Sequence, residues 1–258
     1  MKIGTWNVNS VKARKDRLLG VLDRHAPDVL CLQELKVVDD AYPHEEVEAA
    51  GYRSAVHGQK TYNGVAILTK EEPTAVRIGM GDDEDDPQAR IIAVTTPGEQ
   101  PIDVVSVYVP NGGKVESDKH AYKLRWLERF MGYLDRHYTP ESALVVCGDL
   151  NIAPDERDVA RPDEWGDSVL CVDNVRAAYR AMMDWGLQDC FRKHHEEAGY
   201  YSWWDYRQLG FPKNNGLRID HVLATTSVAE RCTAAEIDRN ERKGKQPSDH
   251  APVLVTLT

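Results

Sequence analysis

Apolar and polar positions alternate along this chain in short blocks. Runs rich in β-branched residues, "KIGTWNV", "DVLCLQELK", "PIDVVSVYV", "SALVVCGD", "LRIDHVLA" and "APVLVTL", predict buried strands. Helical spacing appears between them. Arg14 to His25 brings Leu18, Leu19 and Leu22 to one face before Pro27 forces an exit, and "HAYKLRWLERFMGYLDRH" places Leu124, Leu127, Met131 and Leu134 in a second stripe. Strands alternating with helices predict an α/β protein, and with no Ser/Gly-rich linker we read residues 1–258 as a single domain. The polar, turn-rich stretch from Ala153 to Asp173 predicts a long surface loop, with Asp220 in the middle of a later strand. No tandem repeat occurs, but Asn7-Val8-Asn9 and Asp149-Leu150-Asn151 echo each other at strand ends, where side chains at i and i+2 of an extended chain share a face.

Composition narrows the class. The N-terminus turns polar too soon for a signal peptide, and no apolar run is long enough to span a bilayer, so the expectation is a cytoplasmic protein without a membrane partner. The 5 cysteines form no CxxC pair, and Cys31 and Cys147 lie in apolar runs, which argues for buried thiols in a reducing compartment and against structural zinc. A net charge of −10 argues against non-specific attraction to a polyanion. The charge is uneven, however. Asp82, Asp83, Glu84, Asp85 and Asp86 form an acidic run expected to be a solvated loop, whereas Arg239, Arg242, Lys243 and Lys245 could supply a local positive field.

The candidate chemistry sits where apolar runs stop at Asn7, Glu34, Asn111 and Asp149. Asn and Asp end strands for ordinary reasons, because their side chains bond the turn backbone. Glu34 fits that account poorly, and strand ends are also where open α/β sheets build their sites. Carboxylates and amides without a Cys or His set are hard oxygen donors suited to Mg²⁺, with Mn²⁺ as a substitute, and Mg²⁺ sites of this kind commonly include substrate phosphate. The tripeptide Ser248-Asp249-His250 invites a hydrolase reading, but three consecutive residues cannot place a base between nucleophile and acid. A better division turns Asp249 toward a metal and His250 toward substrate. Asp220 could then orient the imidazole, or it could instead bond its same-face neighbour Arg218.

Taken in order, "TWNVNS", "LQELK", "GQKTYNGVAILTK", "QARII", "YVPNGG", "GDLNIAP", "SWWDYR", "NGLRIDH" and "PSDHAPV" resemble the exonuclease III family of DNA repair nucleases over nearly the whole chain. The resemblance implies a four-layered α/β sandwich, two mixed β-sheets packed face to face with helices outside. It implies a Mg²⁺-dependent, monomeric phosphodiesterase acting on double-stranded DNA with abasic sites, nicks or 3′ ends. Glu34 would be the principal metal ligand, helped by Asn7, Asn9 or Asp249. Asp149 would activate water, Asn151 would hold it or the phosphate, and His250, oriented by Asp220, would act on the phosphoryl group. Tyr108 and Asn111 would contact the scissile phosphate with Arg90 in support. Lys114, Lys119 and Lys123 would contact DNA phosphates, and Trp203 would lie beside the extrahelical sugar. Asn9 stands where some relatives carry Asp, and the loop Asp163 to Asn174 lies where relatives choose between activities. The same fold also serves phosphoinositide phosphatases and sphingomyelinases, the alternative reading.

Overall fold

The computed structural model describes residues 1–84 and 86–258. In chain order the elements are β1 (Lys2–Asn7), α1 (Lys15–His25), β2 (Val29–Gln33), α2 (His44–Ala49), β3 (Arg53–His57), β4 (Val65–Thr69), β5 (Ala75–Ile78), β6 (Ile91–Thr95) and β7 (Asp103–Tyr108). There follow α3 (Asp118–His137), β8 (Leu144–Asp149), α4 (Pro162–Trp165), α5 (Asp173–Trp185), β9 (Leu187–Asp189), β10 (Asp220–Thr225), α6 (Thr226–Ala229), β11 (Cys232–Ile237) and β12 (Val253–Leu257).

Two six-stranded mixed sheets result, ordered β11-β12-β1-β2-β4-β3 and β5-β6-β7-β8-β10-β9. Each contains one parallel pair, β1 with β2 in the first and β7 with β8 in the second, flanked by antiparallel neighbours. The sheets therefore repeat one pattern, and by position β2, which leads into Glu34, corresponds to β8, which ends at Asp149. The sequence echo had paired β1 with β8 instead. A short motif resembles itself wherever a strand ends in a turn, whereas the sheet order depends on pairing partners far away in the chain.

The sheets face each other across an apolar layer that includes Ile3, Cys31 and Ile67 from one and Val94, Val145 and Cys147 from the other, all at most 2% exposed. Helices α1 and α2 cover the outer face of the first sheet, and α3 and α5 that of the second, completing four layers. All five cysteines are buried free thiols. In α3 the inward stripe is His120, Lys123, Trp126, Leu127, Phe130, Tyr133 and Leu134, while Leu124 and Met131 are only partly buried. The expected aliphatic stripe is thus rotated toward the large rings, which bury more surface: Trp126 and Phe130 stack at 5.7 Å and Phe130 and Tyr133 at 6.1 Å. Among the described residues no helix is long and apolar enough to cross a membrane.

Three expectations about particular segments need correction. Residues 153–173 do not form a surface loop throughout. They include a 3-10 turn at Glu156–Asp158 and α4, and Ala153, Val159, Val169, Leu170 and Cys171 pack into a small core of their own with Leu217 and Ile219. Polar composition concealed this, because the apolar residues are spaced irregularly. The acidic run is not simply solvated: Arg129 on α3 bonds Asp82 at 2.7 Å and Asp86 at 2.9 Å, and Asp85 lies outside the described residues. Asp220 is the first residue of β10 rather than mid-strand.

Candidate active site

The two parallel pairs end at one rim. In register, Asn7 stands beside Gln33 and Tyr108 beside Asp149, so Asn7, Glu34, Tyr108 and Asp149 emerge together. Strand β10 is antiparallel to β8, so it begins where β8 ends and sets Asp220 opposite Asp149. The residues preceding β12 deliver Asp249 and His250 to the same rim. Close approach of β7 and β8 there requires Gly148, at φ +149°, since a Cβ would meet the Val107 carbonyl oxygen at 1.9 Å.

Beyond the rim the chain turns sharply. Asn9 (φ 44°), Glu34 (φ 54°), Lys36 (φ 58°) and Asn151 (φ 50°) all have left-handed backbone, which non-glycine residues adopt at a cost and which concentrates at functional sites. Asn7 Oδ1 accepts from the Asn9 amide at 3.0 Å, and Asp149 Oδ1 from the Asn151 amide at 2.9 Å. The Asx-turn reading and the site reading therefore hold at once: the oxygens that shape the turns belong to the cluster. Asn9 and Asn151 do not project as members of extended strands, because each lies past the end of its strand in the left-handed turn.

Asn7 Nδ2 donates to Glu34 Oε1 at 2.8 Å and to Asp149 Oδ2 at 2.9 Å, joining the two acids. Tyr108 donates its hydroxyl proton to Glu34 Oε1 at 3.0 Å. Lys36 Nζ contacts Glu34 Oε2 at 2.9 Å and Asn9 Oδ1 at 2.5 Å. Burial would raise the Glu34 pKa, but Lys36 and the Asn7 amide outweigh it and hold the carboxyl below its ordinary range. Burial and the nearby Glu34 and Asp149 charges push the Tyr108 hydroxyl well above its ordinary value, so it remains a proton donor.

His250 Nδ1 meets Asp220 Oδ2 at 2.9 Å and Oδ1 at 3.1 Å, and Asp220 is fully buried. The alternative partner of Asp220 is engaged elsewhere, since Arg218 bonds Asp158 and Asp189. With Nδ1 protonated toward a carboxylate, His250 Nε2 faces Asp149 Oδ2 at 3.7 Å. Burial would lower the imidazole pKa, but Asp220 and then Asp149 overcome it and raise it to about 10. Burial raises Asp149 to about 7 against the pull of His250, and the Asp220 charge adds to the rise. Asp249 accepts from Asn9 Nδ2 at 2.9 Å and from Trp203 Nε1 at 3.0 Å. Its pKa is lowered: burial opposes this, but His250 and those two hydrogen bonds prevail. Ser248 donates to the Asn7 carbonyl at 2.7 Å and accepts from the His250 amide at 3.2 Å, so it ties the turn to β1 and supplies no nucleophile.

Glu34, Tyr108, Asp149, Asn151, Asp249 and His250 line a cavity of 380 Å³, whose wall also includes Asn111 and Trp203. Asn111 Nδ2 donates to Asn151 Oδ1 at 3.0 Å. Glu34, Asp149 and His250 offer possible ligand atoms within 4.8 Å of one another, a donor set with two carboxylates that fits a hard divalent cation once substrate oxygens are included. Asp249 is not part of that trio. Arg90 acts behind the cavity: it bonds the Tyr108 carbonyl at 3.0 Å and lies 4.7 Å over the Tyr108 ring. Arg90 and Lys119 line an adjoining groove of 580 Å³, and Lys114 is exposed beside it.

Two cationic assignments fail on burial. Lys123 is fully buried and cannot touch a DNA phosphate. It donates to the carbonyls of Asn151 at 2.6 Å, Val169 at 2.8 Å and Asn111 at 3.2 Å. Within the basic run, Arg242 is 6% exposed and clamps the carbonyls of Ser248 and Trp204, while Arg239 stacks on Phe211 at 4.2 Å. Arg239, Lys243 and Lys245 of that run remain as exposed charge. Trp204, next to Trp203, is fully buried in the core. Sequence reasoning missed Lys36 as a site residue. Its signal was the i, i+2 spacing from Glu34. It also missed Arg14, which bonds the Asn9 carbonyl at 2.7 Å and the Pro247 carbonyl at 3.1 Å.

The pattern that defines the Endonuclease/Exonuclease/phosphatase family matches residues 4–250. The chain is 39% identical to exodeoxyribonuclease III of Haemophilus influenzae, with 98% of each chain covered. It superimposes on an AP endonuclease from Archaeoglobus fulgidus with a TM-score of 0.95 at 38% identity, covering 100% of this chain and 99% of the other. A similar match, TM-score 0.95 at 37% identity with the same coverage, is to the 3′ phosphatase NExo from Neisseria bound to product DNA hairpin.

Proposed function

The chain belongs to the endonuclease/exonuclease/phosphatase family, and from that premise we propose that it is a Mg²⁺-dependent DNA repair phosphodiesterase. It would hydrolyse DNA 5′ to abasic sites, remove nucleotides or blocking groups from 3′ ends, or both. The observation that carries the reading is the convergence of Glu34, Asp149 and the Asp220–His250 pair at one cavity wall, reached from both sheets. Full-length likeness to an exodeoxyribonuclease, an AP endonuclease and a DNA 3′ phosphatase favours DNA over a lipid or inositol phosphate.

In this reading Glu34, with Asn7, Asn9 or Asp249, holds Mg²⁺, which when bound offsets charge on the phosphate oxygens. Asp149, with its pKa raised to about 7, takes the proton of the attacking water, and Asn151 fixes the water or the phosphate. His250, held as imidazolium by Asp220, faces the phosphoryl oxygen and stabilises its developing charge. The Tyr108 hydroxyl and Asn111 amide supply further donors to the scissile phosphate, Arg90 braces Tyr108, and Trp203 flanks the sugar. Lys114 and Lys119 would meet phosphates outside the cavity. The protein would work as a cytoplasmic monomer on duplex DNA.

The test is one assay panel with Mg²⁺: duplexes carrying an abasic analogue, a 3′ recessed end, a 3′ phosphate or a nick. We expect turnover of at least one. Inactivity on all four, with hydrolysis of an inositol phosphate or sphingomyelin instead, would overturn the proposal.

A further inference from the structure

Three consecutive carbonyls follow the Asp149 turn, and each is captured by a side chain from a different element. Asn151 O accepts from Lys123 Nζ on α3 at 2.6 Å, Ile152 O bonds His221 Nε2 on β10 at 2.9 Å, and Ala153 O accepts from Arg176 Nε on α5 at 3.0 Å. Ordinary turns leave such carbonyls to backbone or water, so this accumulation of side-chain donors on one segment calls for a reason.

The middle member is set with particular care. His221 is fully buried, and its ring lies 5.2 Å from that of Tyr179. Its Nδ1 stands 3.1 Å from Arg218 Nη1. Asp189 Oδ2 also faces Nδ1 but stands farther off at 3.8 Å. A guanidinium can only donate, so at the shorter contact Nδ1 accepts and the proton resides on Nε2, directed at the Ile152 carbonyl. Arg218 is itself immobilised by Asp158 at 2.6 Å and Asp189 at 2.8 Å, and Arg192 also bonds Asp158. Tyr179 donates to Asp189 at 2.9 Å. Two arginines thus face two aspartates, a neutral buried network whose outlet is the His221 tautomer.

Successive residues of a strand point to opposite faces, and β10 uses both. Asp220 orients His250 on the inner face, and His221 holds the segment after Asp149 on the outer face. Leu150 is tied to the same approach by its backbone N–H, which donates to the Ile219 carbonyl at 2.9 Å. We propose that His221, locked in its Nε2–H tautomer by Arg218, is a positioning residue for the reaction. With Lys123 and Arg176 it holds the left-handed turn at Asn151, in which the Asn151 amide fixes Asp149 Oδ1. The inference rests on the assignment of Asp149 and Asn151 to catalysis.

The test separates the clamp from that assignment. Nitrogen NMR of the full-length wild-type protein should show His221 neutral with its proton on Nε2; a proton on Nδ1, or an imidazolium, would overturn the proposal. In His221→Leu, exchange of the Asn151 amide hydrogen should accelerate at least tenfold. On whichever DNA the wild type cleaves, kcat should fall roughly 10- to 100-fold with KM little changed, the penalty expected for slight misplacement of a reacting group. His221→Gln offers both an acceptor and a donor and should restore most of the rate. Unchanged amide exchange, unchanged kcat in folded His221→Leu, or a Gln variant no better than Leu would refute the clamp. Should the Leu variant fail to fold, Arg176→Met should still lower kcat severalfold, and a wild-type rate there would count against it. Wild-type inactivity on every DNA would instead sink the catalytic assignment, leaving tautomer and exchange to decide the clamp.

Discussion

Replacing Asp220 by Asn removes a buried charge while nearly preserving shape, and the structure sets the size of the effect. Burial alone would lower the His250 pKa, and the Asp220 and Asp149 carboxylates together hold it at about 10. Asp220 is the larger of those two influences, with both its oxygens within 3.1 Å of Nδ1. Without its charge the imidazole should return to near its ordinary value of about 6.5 or lower. The sign follows directly, because a raised histidine pKa means the protonated form is present below it and lost above. Near pH 8 the protonated fraction should drop from roughly 0.99 to roughly 0.03, so the variant should be about 30-fold slower from protonation alone; near pH 6 that fraction is still about 0.8 and the deficit nearly closes. Single-turnover cleavage measured for both proteins across this range provides the assay, with the Asp149 titration, which the Asp220 charge also raises, fitted separately in each protein. A thermal melt confirms that the variant is folded. A deficit of equal size at both pH values, or no deficit at either, would refute the assignment of His250 as the cationic group.

Four further outcomes follow from the geometry. Asp149→Asn should slow turnover by about 10²–10⁴-fold while fluorescence anisotropy shows DNA binding nearly unchanged. Glu34→Gln, which removes the carboxylate that Lys36 and Asn7 keep ionised, should weaken Mn²⁺ binding at least tenfold by electron paramagnetic resonance titration. Gly148→Ala, with no room for a Cβ against Val107 O, should part β7 from β8 at the rim and lower the melting temperature by several degrees, consistent with a destabilisation of about 1–3 kcal/mol or more. Neutralising Lys114 and Lys119 together should reduce the salt slope of DNA binding by about 2, whereas Arg242→Met should act through stability because Arg242 is buried.

How much of this was legible beforehand depended on whether a residue's role is set locally. Strand ends bearing Asn7, Glu34 and Asp149 could be read because an apolar run stopping at an acid or amide is a local event, whereas Tyr108 came only through the family resemblance. The Asp220–His250 pair could be read because a buried carboxylate demands a partner. Lys123 and Arg242 were misread as surface charge because their acceptors are main-chain carbonyls from segments up to 46 and 38 residues away, which no side-chain pattern advertises. His221, inside the predicted strand "LRIDHVLA", drew no reading of its own for the same reason: its meaning lies in the Arg218 guanidinium and the Ile152 carbonyl. The stretch 153–173 was misjudged because its packing partners, Leu217 and Ile219, arrive only after folding.

The groups to which we assign the reaction hang from two separate sheets, Glu34 and His250 from one and Tyr108, Asp149 and Asp220 from the other. What holds them apart is the aliphatic layer that includes Cys31, Ile67, Val145 and Cys147. That layer is the spacer of the catalytic gap, so its thickness and compressibility become kinetic quantities. Hydrostatic pressure, or trimming Ile67 to Val, should alter the rate before it alters the fold. Adaptation of such an enzyme to cold or depth would then be written in methyl groups remote from any reacting atom.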